Sequence, residues 1–580
     1  MKTKTLSVCL ALASTFFAFQ SVASAATDPS QPHLETRHGV RQLVVDGKPF
    51  LILGGELHNS SSSSRAYMKA IWPQLAQKNL NTVLAVITWE LIEPQEGHFD
   101  FSTVDDTIAG ARENHLKLVI LWFGSWKNGE SSYQPGWVKA DPQRFPWAKD
   151  RAGKTLNNIS TFGDATRDGD ARAYGALMRH LREVDGKVHT VLAMQIENEV
   201  GLLGDSRDHV PAANEAFAKP VPKDLMNYVI QHKDTLGPEL RQVRESNGSK
   251  TSGAWEEVFG PSKPETVIPL TQLSKEEYQT TWRHFNWPAD ELFMAWRYST
   301  YINKVAAAGK AEYSIPTYCN TWLQQDREAR PGEFPSGCPE PEVHDIWRFC
   351  APNIDILAPD IYIPYFDEVC QRYMRNDNPL FIPEVGANAS NALTAILKFN
   401  AICFSPFGIE GRGVGTGGAP VANLPPSSDP LAQTYAVLDY LAPDILDNQG
   451  KGTIVLLEPM SDTNAPPQIL KMGDYTLTVR YRPDTNAGAS SVAPNTSPAR
   501  FVINSRPGEY VIVGKQMTVT FSPSQAERGN VILGSFDESL NLDGHWVAGR
   551  RLNGDETRNN INWPQIGPFG IYRYTVFQRQ

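Results

Sequence analysis

Cysteine is scarce in this chain and carries no pattern. Six are spread over 580 residues, with neither a Cys-x-x-Cys nor a His-x-x-x-His spacing, which excludes the usual zinc knuckles and redox dithiols. Positive charge is lacking too: 54 Lys and Arg against 64 Asp and Glu leave a net charge of −10, the wrong sign for a nucleic-acid partner. Past the N-terminus no apolar run is long enough to cross a bilayer, so no membrane insertion is expected. There is no solenoid repeat and no Asp-His-Ser pattern with a nucleophile elbow, so His58 and His98 read as structural histidines. What remains is globular, 41% hydrophobic and 20% charged, in a length that calls for two or three domains. Fourteen Trp are many; aromatic faces suit sugar rings, although core packing can absorb most of them.

Met1-Lys2-Thr3-Lys4, the apolar run Leu6 to Phe19 and Ala23-Ser24-Ala25 read as a secretory signal peptide cleaved after Ala25. Residues 1–25 are then removed, and an exported, soluble protein of the periplasm or extracellular space is expected. Cys319, Cys338, Cys350, Cys370 and Cys403 would remain. An oxidising compartment permits disulfides, but five cannot all pair, and Cys403 within its apolar run reads as a buried thiol.

Over residues 26–447 short apolar runs alternate with longer amphipathic stretches, the pattern of repeated βα units. Strands are predicted near 50–57, 82–88, 116–123, 190–196, 314–319, 354–359, 380–383 and 401–404, with helices near 65–77, 104–114, 172–184, 290–308 and 391–398. Eight strands, each followed by a helix, close into a (β/α)₈ TIM barrel whose active site gathers at the strands' carboxyl ends. The fourth connection, 202–313, is the longest and is expected to wall the cleft. Residues 448–580 read as an antiparallel β-sandwich, with strands near 453–457, 476–481, 499–503, 510–513, 517–521, 530–533 and 572–577, and an exposed loop at 486–498.

Two strand ends carry the chemistry. Gln195-Ile196-Glu197-Asn198-Glu199 closes the fourth, and Ile382-Pro383-Glu384-Val385-Gly386 the seventh. Two carboxylates meeting across one pocket are what a retaining glycosidase needs: Glu199 as acid/base and Glu384 as nucleophile. The alternatives are a solvent-facing strand end for Glu199 and a surface ion pair for Glu384; the buried apolar runs before both argue against these. Asn198 is placed to hydrogen-bond the sugar 2-hydroxyl and Tyr362 to hydrogen-bond the nucleophile. Glu56, Trp89, Glu90, Trp126, Asn128 and Trp322 end other strands and complete the candidate substrate contacts. Each aromatic among them can equally pack the barrel rim, and Glu56 or Glu90 can equally pair with a basic side chain.

With these residues in place the chain resembles glycoside hydrolase family 35, the β-galactosidases. The resemblance rests on Gln195 to Gly201, on Trp89-Glu90-Leu91-Ile92-Glu93-Pro94 with Gly97 and Phe99-Asp100-Phe101, and on Glu384. It implies the same two roles for Glu199 and Glu384. Many family members carry Tyr at the place of Val200, and Cys-Ala-Glu-Trp where this chain has Phe123-Gly124-Ser125-Trp126. Trp126-Lys127-Asn128-Gly129 and the sandwich look more like a bacterial branch associated with galactosylated xyloglucan fragments. The resemblance implies an exo-acting β-galactosidase that needs no cofactor and no metal. A clan relative acting on glucosides, arabinosides or glucosaminides is the second reading, and a non-catalytic glycan-binding barrel the third. The sandwich reads first as structural support, with a homodimer interface or glycan binding through Trp546 or Trp563 as its other uses.

Overall fold

The computed structural model describes residues 28–261, 285, 287–325, 329–411, 428–458, 466–481, 498–525, 530–560, 563–567 and 569–579. The signal peptide expected at 1–25 and most of the loop expected at 486–498 lie outside them. Eight parallel strands close a barrel in chain order: Ile52–Glu56, Thr82–Thr88, Lys117–Lys127, Val191–Asn198, Thr317–Trp322, Ile356–Ile361, Phe381–Val385 and Cys403–Pro406. Strand one pairs with strand eight to complete the circle, Leu53 facing Phe404. Tyr435, on the helix Pro430–Tyr440, sits over that seam and offers its hydroxyl to the carbonyls of both Gly54 and Phe404, at 3.0 and 2.9 Å.

The barrel interior is apolar to its floor. Ile52, Val86, Leu121, Tyr318, Phe381 and Cys403 belong to one buried cluster. Each such side chain contributes roughly 1.5–3 kcal/mol relative to exposure, so this layer fixes the height of every strand and hence of its carboxyl end. A three-stranded antiparallel sheet, His33–Arg37, Val40–Val45 and Lys48–Phe50, precedes the barrel and was not expected. Its Leu43 and Val45 join the same interior cluster. Alternation along Val40–Val45 is short and flanked by His-Gly and Asp-Gly turns, which hid the sheet in the sequence.

The described part of the fourth connection does not wall the cleft as expected; residues 262–284 and 286 lie outside the described residues. Its described helices, Pro211–Ala218, Lys223–Gln231, Pro238–Ser246 and Trp255–Phe259, pack outside the barrel, Trp255 lying against Phe293 and Trp296 of the long helix Pro288–Glu312. No described residue of this connection lines the pocket at the strand ends.

After the helix Ala442–Asn448 the chain forms two antiparallel sheets of six and four strands. Their facing sides bury Leu477, Val479, Val502, Ile512, Val519 and Tyr574. Strands Gln468–Met472, His545–Leu552 and Gln565–Ile566 add to the seven expected. Arg573 pairs with Asp444 at 2.7 Å, and Tyr440 meets Ser539 at 3.2 Å, joining sandwich to barrel. Trp546 is buried at this junction, edge-on to Phe569, so it is not a glycan platform. Trp563 packs against Phe521.

All five described cysteines are free thiols. Burial pushes the Cys319, Cys370 and Cys403 thiols up, and that of Cys350 to about 12, so none is a ready thiolate.

Candidate active site

The end of strand four is where the backbone leaves its regular path. Glu197 and Glu199 both adopt positive φ, 60° and 46°, a left-handed conformation that costs a non-glycine residue of order 1–3 kcal/mol. The consequence is directional. In a regular strand residues two apart share a face, but here the two glutamates go to different places.

Glu197 turns to the layer between barrel and helices. It accepts hydrogen bonds from the backbone N–H groups of Gly124, Ser125 and Trp126 at 3.1, 3.0 and 2.8 Å. Beside it lies Asp170 of the helix Asp164–Asp185, which accepts from Trp122 Nε1 and Ser125 Oγ at 2.9 and 2.7 Å. Burial raises both carboxyls above their ordinary range, and the neighbouring Asp170 charge and hydrogen bond raise Glu197 further. Gly124 is required at this point. A Cβ there would come within 2.6 Å of Glu197 Oε1 and 2.7 Å of Asp170 Oδ1.

Glu199 turns inward instead. Carboxyl oxygens of Glu199, Asp360 and Glu384 all lie within 4.8 Å of one another, at the ends of strands four, six and seven. The backbone N–H of Glu199 donates to Asn320 Oδ1 at 2.9 Å, and Asn320 Nδ2 donates to Asp360 at 2.6 Å, so one amide spaces two of the three acids. Tyr362 donates its hydroxyl to Glu384 Oε1 at 2.9 Å, while Glu384 Oε2 has no protein partner. Burial, with the Glu384 charge adding to it, raises Glu199 to about 7. Burial and the neighbouring acids push Asp360 well up as well. Strand one contributes Glu56, also buried, whose two carboxyl oxygens have no protein partner and whose pKa burial raises far above the usual range.

Among the described residues one cation, Lys127, answers these four carboxyls. Lys127, at the end of strand three, is buried; burial alone would lower its pKa, but Glu384, Glu199, Glu56 and Asp360 together hold it raised. The three close acids are the described group whose spacing would suit a metal ion, but the facing ammonium opposes one. The pocket above them has a volume of about 160 Å³ and is lined by Asn128, Glu199, Trp322, Gln325, Asp360, Tyr362 and Glu384, with Leu323 and Ile363. A larger cavity of about 730 Å³ lies at the barrel–sandwich junction, away from the acids.

Residues 42–293 match the family model "Glycosyl hydrolases family 35", and residues 431–564 match "Domain of unknown function (DUF5597)". A β-galactosidase of Xanthomonas manihotis is 30% identical over 255 residues, 42% of this chain and 40% of its own length. The human β-galactosidase-1-like protein 3 is 26% identical over 190 residues, 32% of this chain and 27% of its own. The chain thus spans less than half the length of the curated relatives it matches. Among solved structures, a β-galactosidase from the psychrophilic Marinomonas ef1 superposes with a TM-score of 0.42 at 10% identity, over 68% of this chain and 60% of that one. The family match includes Glu199 but ends before Asp360, Tyr362 and Glu384.

The structure brings Glu199, Glu384, Tyr362, Trp322 and Asn128 to one pocket, with Asn198 and Glu56 buried beneath it. Three other expectations fail. Trp126 is 1% exposed, edge-on to Tyr298 and Tyr301, and donates its Nε1 to Asn158, so its ring is barrel core. Trp89 is fully buried against Trp137 and donates to Glu93. Glu90 lies at the surface beside Lys139. Lys127 and Asp360 were not singled out from the sequence, although both sit at barrel-strand ends, the position that marks the other site residues.

Proposed function

We propose that this chain is an exo-acting β-galactosidase that works by double displacement with retention. The observation that carries it is the separation of Glu199 and Glu384. Their facing oxygens lie within 4.8 Å, which is compatible with the roughly 5–5.5 Å between the carboxyl groups of a nucleophile and its acid/base. In this reading Glu384 attacks the anomeric carbon as Glu199 gives its proton to the departing oxygen. Glu199 suits that task because its pKa, raised to about 7, keeps a substantial fraction protonated near neutral pH. Once Glu384 is esterified its charge is gone, and with it one cause of the raised Glu199 pKa, so Glu199 turns from acid to base for the attacking water.

A pocket of about 160 Å³ accommodates one sugar ring, which favours removal of a terminal residue. The likeness to family 35 and to the named β-galactosidases supports galactose as that residue. Galactosylated xyloglucan fragments are the natural substrate class we favour, and the N-terminal segment supports export. Hydrolysis of an aryl β-galactoside, with the anomer of the first product followed by NMR, tests the reading. Release of β-galactose first supports retention, and release of α-galactose removes Glu384 as nucleophile. Turnover only of a glucoside, arabinoside or glucosaminide in the same panel would keep the two acids and change the sugar.

A further inference from the structure

We propose that Lys127 is a positioning residue of this site: its ammonium fixes the orientation of Asn198 and balances the one carboxylate that must stay charged. The inference rests on the glycosidase reading for its catalytic meaning, and on geometry for the rest. Lys127 Nζ donates to Asn198 Oδ1 at 2.9 Å. An ammonium has no lone pair to offer, so it selects the amide oxygen and turns the NH₂ away from itself. Asn198 is fully buried, and its Nδ2 finds no partner in the protein. A buried donor of this kind is expensive unless something accepts from it. Asn198 immediately precedes Glu199, so the acceptor that suits it is a hydroxyl next to the reacting carbon, the 2-hydroxyl of the sugar. Exchanging the amide's two ends would set NH₂ against NH₃⁺ and lose both contacts.

The backbone is built to deliver the ammonium. Strand three runs on to Lys127 through a register shift against strand four between Trp122 and Lys127. Lys127 and Glu130 then exchange backbone hydrogen bonds at 2.8 and 3.0 Å, a tight turn that pins the lysine's own peptide. Its Nζ also lies 5.2 Å from the centre of the Phe123 ring. The charged and titratable groups around it come from every side of the barrel mouth. These are Glu56 of strand one, with Glu410 beyond it; Glu199 of strand four; Asp360 and Tyr362 at strand six; Glu384 of strand seven; and Tyr133 on the loop after strand three. One ammonium neutralises one anion. The anion that the proposed reaction requires is Glu384, and the ammonium faces it together with Glu199, Glu56 and Asp360.

Lys127→Met removes the charge and keeps the bulk; Lys127→Arg keeps the charge. Three readouts decide the matter. Without the ammonium the carboxyl pKa values rise, so the bell of kcat/KM against pH on an aryl β-galactoside moves to higher pH, by about one unit. Deleting the substrate's 2-hydroxyl penalises the Met variant less than wild type, because Asn198 is no longer held to meet it. The third readout needs no turnover. Carboxyls whose folded pKa rises further above the unfolded value of about 4.3 lose stability progressively above that pH, so the thermal midpoint of the Met variant falls behind wild type increasingly from pH 5 to pH 8. The Arg variant should restore this pH dependence. An unmoved bell with a midpoint gap constant across pH would overturn the proposal. Were the Met variant not to fold, Asn198→Ala separates the two roles: it should lose the 2-hydroxyl discrimination and keep the wild-type pH profile, and retained discrimination would again refute it. A widening midpoint gap in a protein that cleaves no glycoside would uphold the charge role while ending the glycosidase reading.

Discussion

Glu197 and Glu199 are two residues apart at the end of one strand, both buried and both held in a left-handed backbone, yet their surroundings are opposites. Glu197 accepts three backbone hydrogen bonds and lies against Asp170, so its oxygens have little left to offer a ligand. Glu199 stands among acids with one cation nearby and opens onto a pocket. The first arrangement holds strands three and four and a helix in register. The second raises the proton affinity of an acid that still opens onto the pocket, where the proton can be handed over. Burial alone therefore does not mark a catalytic carboxyl; what matters is whether its hydrogen-bonding capacity is already spent.

Substitutions at the two positions should separate activity from stability. Glu199→Gln is expected to lower kcat on substrates with poor leaving groups by roughly 10²–10⁴-fold while leaving the thermal midpoint at or above that of wild type, since it relieves a crowded acid cluster. Unchanged kcat on such substrates would break the contrast. Glu197→Ala should do the reverse, costing about 3–5 kcal/mol in denaturant unfolding because three backbone donors and Asp170 lose their partner. Gly124→Ala sharpens the same point at smaller scale. Its methyl group would crowd the Glu197–Asp170 contact, costing about 1–3 kcal/mol of stability.

The pH response of the native protein follows from Glu199. As an acid it is needed protonated, so kcat/KM should fall as pH rises through about 7. The same raised pKa bears on folding in a second way. Glu199 binds its proton more tightly folded than unfolded, so its stabilising share is fullest below the unfolded carboxyl range and is lost as pH climbs toward 7. The smallest expected effect is that of Tyr362→Phe, which removes one hydrogen bond to Glu384 and should cost about 1 kcal/mol of transition-state stabilisation, several-fold in kcat/KM. An identical pH profile and rate would show that hydroxyl to be idle.

The barrel was legible because each of its strands is a short apolar run ending in polar residues, and each starts within three residues of the predicted place. The helix Asp164–Asp185 was read as starting at 172, since Asp170 interrupts the apolar stripe. That residue is inside because Glu197 is there to meet it, a reason no local window contains. Lys127 was read within the end of strand three but given no role. Strand three is eleven residues long through an irregular end, and that irregularity, which turns the lysine toward the acids, is not visible in the sequence. Trp126 and Trp89 were offered to the sugar because an aromatic at a strand end suits either side of the wall. Only the packing with Tyr298, Tyr301 and Trp137 decides between them.

Tyr435 carries a lesson for anyone cutting this chain into pieces. The matched segment 431–564 opens inside the helix that bears it, so a splice placed at that edge would hand the barrel's latch to the sandwich half. Strands one and eight would then meet with two carbonyls deprived of their shared phenol. A recombinant barrel should carry its chain through Asn448, and a chimera that swaps sandwiches should leave both terminal helices with their original host.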